Sequence, residues 1–494
     1  MSRKRLLLAI SVVSVVCVSE ALTSEALASE PMALSAYDAL ELAVEANPEL
    51  RGVRIDRERA ELFLSREESA RVPLYVGETG YRFGNTPRLS PEGTRFIDSS
   101  SLVLTQRLSH TLRQGTQVGV SSSFGRASRD SVELGELGVA YDARLGVEVT
   151  QPLLRGRGAQ IQDASIRRAE IARDISEIQL EARTSAVVRD VLLAYWDLWL
   201  AAENVAIQEA ALELVEQNLE NARVRQETGV LSSSEIIPLR LEELNVRERL
   251  VTARTSQDQR AIALTVLLGL SPQVRFEVDD ESPAVTHGVI PDEESIWEEI
   301  RERSYDLERL RKSVEDAEIQ AMLAHNDVLP RLDATGTASI DGLERGLGSA
   351  TAQMFTFQGF TLFAGLRLEL PVVNRARRLD AERADLNTEL ARAELERAEA
   401  ELQSRLSGTL QEIALIRERL EISRESAELA AENIEAQTAR FEVGRGTTLE
   451  VVDALQRHQE ALMRVVEVEV ELSRRLLELE EQAGGLLSRW GVEL

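Results

Sequence analysis

Apolar residues recur along this chain with two periods, and stretches of one period alternate with stretches of the other. Ile171, Ile175, Ile178 and Ala182 step by four, three and four, as do Val187, Val191, Ala194 and Leu198. Ala201, Val205, Leu212, Val215, Leu219 and Ala222 continue the stripe. Such spacing places side chains on one helical face, and kept up over roughly 50 residues it predicts a coiled-coil-like seam. Leu379–Arg440 and Thr447–Glu481 read the same way, with Glu and Arg on the remaining faces. Shorter helices are predicted over 36–69, 234–268 and 293–327. Other stretches alternate with period two, which predicts strands. These run from Leu74 to Phe83 (weakly), Leu102 to Leu108, Val118 to Phe124, Val139 to Val149, Leu332 to Ile340 and Phe360 to Leu370.

The features occur twice in the same order. Asn218–Arg225 and the Gln-Glu-Thr-Gly229 that follows match Asn433–Arg440 and Phe-Glu-Val-Gly444 at an offset of 215, continued by Ser232/Thr447, Ser233/Thr448 and Glu235/Glu450. Pro152 and Pro371, each closing an alternating run, are 219 apart, and Leu50/Leu307 and Pro73/Pro330 are both 257 apart. This predicts an internal duplication: a first repeat over 29–271, a proline-bearing linker over 272–291 and a second repeat over 292–494. The change of offset locates an insertion. Pro73 to Pro152 spans 79 residues against 41 from Pro330 to Pro371, which leaves the first half enough extra chain for a β-hairpin and a loop. Pro152 to Gly229 is 77 residues and Pro371 to Gly444 is 73. Two helices of nearly equal length therefore run from a strand end to a glycine turn, each reaching about 110 Å at ~1.5 Å per residue.

Composition narrows the class. With 29% charged, 4% aromatic and 43% apolar residues, the chain suits long helices and is too apolar for disorder. A net charge of −27 argues against nucleic acid as a partner, because phosphates need basic patches. Arg3, Lys4 and Arg5, the apolar run Leu6–Val18 and Ala26-Leu27-Ala28 predict an export signal over 1–28, since that run is too short to span a bilayer. The single cysteine, Cys17, stands behind Val16 inside the signal, where lipidation would want a small residue. Cleavage would leave no disulfide or thiolate site. In an exported chain, alternating runs of about ten residues suggest a transmembrane β-barrel, although a sheet with one wet face would alternate in the same way. The number of candidate strands falls below the minimum of about eight for a barrel, so protomers would have to share one. Nothing points to catalysis, a cofactor or a metal. His110, His287, His325 and His458 are scattered, no phosphate-binding loop is present, and Gly342, Gly346 and Gly348 read as turn glycines between the last two strands. Tyr195, Trp196 and Trp199 read as packing.

The stretch Arg440-Phe-Glu-Val-Gly444-Arg-Gly446-Thr447-Thr448-Leu-Glu450-Val-Val-Asp453 resembles the second hairpin tip of the TolC-like outer-membrane efflux proteins. Thr150-Gln-Pro-Leu-Leu-Arg-Gly-Arg-Gly158 resembles that family's passage from strand to helix, and Ala46-Asn-Pro-Glu-Leu50 the start of its first helix. With the duplication, the resemblance covers nearly the whole mature chain. It departs at the first tip, where Gln226 stands opposite Phe441 and Ser232–Ser234 replace the threonine pair, and in the extra hairpin. The resemblance implies an α+β membrane protein: a transmembrane β-barrel shared between protomers, continued by a long coiled-coil α-helical barrel. A homotrimer with four strands from each chain is implied, the extra hairpin being an extracellular flap or enlarging the barrel. It further implies a passive exit duct of a tripartite efflux pump or type I secretion system. Such a duct sits in the outer membrane with a periplasmic extension and meets a periplasmic adaptor and an inner-membrane pump. A non-channel periplasmic coiled-coil structural protein, or an adaptor-type protein, is the alternative.

The candidate sites lie at the tips. Gly229 and Gly444 can take positive φ at a helix end, and Ser232 with Glu235 and Thr447 with Glu450 are spaced as capping boxes. Turn formation alone would account for them. The resemblance adds adaptor contact, with Arg225, Gly229, Ser232, Ser233, Glu235, Arg440, Gly444, Gly446, Thr447, Thr448, Glu450 and Asp453 as the candidates. Glu428, Glu432 and Glu435 precede Gly444 by 16, 12 and 9 residues and share a helical face; Glu216 and Glu220 stand at a similar depth in the first half. They are either a solvated face or, multiplied by assembly, an acidic entrance ring that favours cations.

Overall fold

The computed structural model describes residues 32–90, 93–129, 139–229, 231–274, 276–278 and 292–492. The expected export signal and most of the expected linker lie outside them. In chain order come β1 (Met32–Leu34), α1 (Ala36–Ala46) and α2 (Pro48–Ser69), then four strands, β2 (Leu74–Ser90), β3 (Gly93–Thr111), β4 (Gln117–Arg129) and β5 (Ala140–Pro152). A single turn α3 (Ala159–Gln162) leads into α4 (Ala164–Glu227), followed by α5 (Ile237–Leu267) and β6 (Phe276–Val278). The second half holds α6 (Glu293–Arg303), α7 (Tyr305–Val328), β7 (Arg331–Glu344), α8 (Leu347–Met354), β8 (Gly359–Glu369), α9 (Arg375–Glu442), α10 (Thr448–Gln482) and a final turn α11 (Leu486–Arg489). The same order thus occurs twice: paired helices, strands, a long helix, a glycine turn and a returning helix. At 64 and 68 residues, α4 and α9 each extend about 100 Å.

Two compact units share these elements. The sheet unit comprises Asp56–Glu177 and Leu310–Leu395. Its six strands pair antiparallel in the order β2-β3-β4-β5-β7-β8. Register aligns Tyr75, Leu108, Val120, Val147, Ala338 and Leu362 in one row across the sheet. The row of Glu78, Thr105, Ser123, Arg144 and Asp341 points the other way. One face is therefore apolar and the other polar, with Arg144 Nε 2.5 Å from Asp341 Oδ1 and Arg107 3.7 Å from Glu148. All six expected strands are present in one sheet, so the four strands that the resemblance implied are too few. The extra hairpin, β2–β3, is no separate flap, because β3 pairs with β4 from Ser99 to Thr111. Among the described residues its outer part, Asn85↔Asp98 to Ser90↔Gly93, is a ribbon paired with itself. Gly342 lies within β7 and Gly348 within α8, so they are not loop-turn glycines as the sequence suggested.

The helical unit comprises residues up to Ile55, Ile178–Arg309 and Glu396 onward. Val187, Val188, Val191, Leu192, Leu198, Tyr195, Trp196 and Trp199 of α4 form its main core with Leu40, Ala43, Leu50, Leu264, Leu268 and Leu477, as the period predicted. The three aromatics are core packing, and the Tyr195 hydroxyl donates to the Leu34 carbonyl. Two helices expected to be continuous are broken. Pro48 holds Asn47 in extended backbone, as a residue before proline prefers, and Asn47 Oδ1 accepts the Glu49 N–H at 2.8 Å. Ser304, with ψ of 117°, breaks the second-half pair at the equivalent place. Each break is met by a glycine after a returning helix. A Cβ on Gly269 would lie 2.6 Å from the Ala46 carbonyl oxygen, and one on Gly484 would lie 2.5 Å from that of Arg303. The short parallel pair β1–β6 had no period to reveal it.

Candidate functional site

Both tips lie in the helical unit, and each is a helix end closed by glycine. Gly229 has φ of +80° and Gly444 of +77°, a conformation that costs residues with a Cβ about 1–2 kcal/mol. At the second tip the Gly444 N–H bonds the Phe441 carbonyl and the Arg445 N–H that of Arg440, the paired bonds that satisfy a helix C-terminus. The chain then returns through a complete capping box. Thr447 Oγ1 accepts the Glu450 N–H at 3.3 Å, while the Glu450 carboxylate accepts the Thr447 N–H at 2.8 Å. The Thr447 N–H, and then the Thr447 hydroxyl, which also donates to this carboxylate at 3.1 Å, hold the Glu450 carboxyl below its usual range.

The first tip is built differently. Ser232 N–H and Oγ–H both donate to Glu235, at 2.7 and 2.8 Å, and the same bonds lower the Glu235 pKa. The Glu235 N–H, however, bonds the Ser232 carbonyl rather than its hydroxyl. The expected capping box is therefore only half formed, and α5 starts at Ile237 with no side-chain cap. Pro238, which lacks an N–H, occupies the first turn and lowers the need for one. Ser233 Oγ accepts from Gln226 at 3.0 Å.

The two tips are bonded to each other, which no local pattern indicated. Phe441 is 1% exposed in a cluster with Val215, Leu219, Ala222, Ile236, Leu239, Val451 and Leu455. The Arg225 guanidinium lies 5.1 Å from the Phe441 ring centroid and donates to the Phe441 carbonyl. Thr448 Oγ1 donates to the Glu235 carbonyl at 2.7 Å. Gly446 passes tightly over Phe441, leaving a Cβ 3.1 Å from its nitrogen. Arg440 is exposed, and Asp453 is exposed and paired to Arg457 at 3.0 Å.

Of the candidate acidic residues, Glu216 is paired to Arg247 at 2.9 Å and Glu220 to Arg223 at 3.4 Å. Glu428, Glu432 and Glu435 are exposed, and no ion pair engages them among the described residues. Stepped at about 100° per residue, they share a face distinct from the buried stripe Ala427 and Ile434. That face is also distinct from a second, exposed stripe, Leu415, Ile422 and Leu429. Below the tips lies a polar cluster that sequence reasoning missed. Glu242, 2% exposed, accepts from Arg249 and Gln456, both at 2.8 Å, and Arg249 also reaches Gln459 at 3.0 Å.

Among the described residues no helix is long and apolar enough to cross a membrane, and no cluster of His, Cys, Asp or Glu could hold a metal. A search of curated proteins finds no match. Solved structures with this fold include the outer-membrane channel OprN (14% identity, TM-score 0.65, covering 93% of this chain and 95% of that one). Another is the outer membrane protein VceC from Vibrio cholerae (13%, 0.64, 91% and 96%). A third is the open state of the Neisseria gonorrhoeae MtrE outer membrane channel (14%, 0.60, 91% and 89%). The family model for outer membrane efflux proteins matches residues 115–270 and 296–485, which takes in β4, β5, β7 and β8 of the sheet, both long helices and both glycine tips. On that match and that fold, the chain belongs to the outer membrane efflux protein family and is an exit duct of an efflux system.

Proposed function

We propose that three copies of this chain close one duct, exported by the N-terminal signal and extending into the periplasm. An adaptor and an inner-membrane pump meet it at the two glycine tips. The observation that carries this reading is a second apolar stripe on each of two helices. Leu415, Ile422 and Leu429 recur at seven-residue intervals on α9, and Ile237, Leu241, Leu244 and Val251 line α5, each of them at least half exposed. Stripes of this spacing want a facing helix, and an α9 stripe against the α5 stripe of the next copy closes a ring. The free edges of β2 and β8 want partners for the same reason. The exposed Val443 and Leu449 at the second tip offer apolar surface to an adaptor. Glu428, Glu432 and Glu435, on neither stripe, would stand as an acidic ring that favours cations.

Planar-bilayer recording tests the duct and the ring together. The expected result is a conducting channel whose cation preference, read from reversal potential in a salt gradient, falls in Glu432→Gln with Glu435→Gln, as does block by trivalent cations. An unchanged reversal potential would place these glutamates outside the conduction path. Absence of conductance would mean that copies of this chain do not close an open duct by themselves.

A further inference from the structure

The connection between β7 and β8 differs from the other turns of the sheet. From Gly346 to Leu366 the chain carries no charged residue. Its helix α8 folds back over β5 and β7. Ala350 and Met354 are buried there against Ala143, with Phe124, Tyr141, Leu145 and Ile340 around them. A Cβ on Gly342 would collide with the Ala350 carbonyl, so glycine is what lets the helix lie this close. These residues belong to the apolar face of the sheet, the face that meets lipid when such a sheet closes into a barrel.

The segment satisfies its own polar groups. Ser349 donates to the Gly346 carbonyl at 2.9 Å, Thr351 to that of Leu347 at 3.0 Å and Thr356 to that of Gln353 at 2.6 Å. Gln353 Oε1 accepts the Leu343 N–H at 2.8 Å. Water would serve such groups equally well, whereas lipid requires them to be satisfied internally. Outward the segment presents Leu347, Phe355 and Phe357, at 46%, 62% and 64% exposure. Phe357 holds φ of 57°, a rare conformation for an aromatic residue.

We propose that residues 346–357 form an interfacial element lying in the outer leaflet against the outside of the barrel, and that lipid covers its outward apolar side. The inference rests on the barrel reading. The apolar face continues unbroken from Leu368, Leu366 and Leu362 through Phe360 to this segment. At ~3.3 Å per residue and a tilt of about 40°, that run of β8 accounts for roughly 20 Å of an apolar band about 25 Å tall. The helix supplies the remainder. A neighbouring copy is not the occupant. Copies join at the β2 and β8 edges, whereas α8 sits over β5 and β7, inside the sheet.

Tryptophan variants in vesicles containing brominated lipid provide the test, because the native tryptophans all lie in the helical unit. In Phe357→Trp and Phe355→Trp the emission added over the parent protein should be lost in vesicles brominated near the headgroup, and spared by aqueous acrylamide. Leu362→Trp, on the sheet face itself, should be quenched by lipid brominated deeper in the chain. If Leu362→Trp is quenched by lipid while the phenylalanine positions are quenched only by acrylamide, the segment faces water and the inference fails alone. If the phenylalanine positions are quenched by neither, protein covers them, which also overturns it. If Leu362→Trp escapes lipid quenching, the barrel reading itself fails.

Discussion

Glu242 shows how a single side chain can be legible in type and hidden in role. It occupies the apolar stripe Leu239, Val246, Leu250 and Ala253 of α5, each of them buried, and is the charge that interrupts it. That interruption was readable. Its partners were not, because Arg249 lies two turns away and Gln456 lies 214 residues away, on a helix whose alignment with α5 is fixed only by packing. Removing one member of a buried pair leaves the other uncompensated, at about 3–5 kcal/mol. Arg249→Leu should fall toward the low end, since its side chain is 39% exposed. Glu242→Leu removes the buried charge and extends the stripe, so it should cost less. Thermal unfolding followed by helical circular dichroism should therefore show the larger drop in Tm for Arg249→Leu. Equal drops would mean that the two charges are not coupled.

At the scale of elements, the tips separate what turn chemistry specifies from what tertiary contact adds. Gly444→Pro cannot reach φ of +77°, and a Cβ there would also lie 3.1 Å from Arg225 Nη2, disturbing the bond that ties the tips together. A Cβ at Gly229 has no atom within 4 Å, so for Gly229→Val the stated obstacle is the backbone strain, about 1–2 kcal/mol. Both should abolish efflux while leaving the protein inserted in outer-membrane fractions, with Gly444→Pro losing more helix. Full transport by either variant would reduce the tips to turns. The long helices and strands were legible because their periods persist over many residues. The glycine turns were legible because offset and residue type agree in both halves. The eight residues of α8 span barely two turns, too few for a period to emerge. Pro48 signals the break at Asn47, but apolar spacing continues across it and hides it. The cross-tip bonds use backbone carbonyls as acceptors, which leave no mark on side-chain identity.

For the whole molecule, the decisive quantity is the number of copies. The exposed stripes predict that the protein in detergent has the mass of a homotrimer. Leu415→Arg with Ile422→Arg, which places charge on the α9 stripe and leaves the buried one intact, should shift the mass to monomer at nearly unchanged helicity. Light scattering with circular dichroism on the same sample reads both. A parent protein that is monomeric at full helicity would overturn the ring, and a double variant that stays trimeric would move the interface elsewhere.

Duplication normally frees one copy of a gene segment to drift while the other keeps the work. Gly269 and Gly484 show where that freedom ends in this chain. Both have positive φ, +74° and +66°, and at both the obstacle to a side chain is a backbone carbonyl, which no compensating mutation can shorten. The two halves can exchange a threonine pair for serines at one tip, or gain a hairpin in one sheet half, and remain foldable. At these two positions neither half has a spare, and each needs its glycine for its own packing.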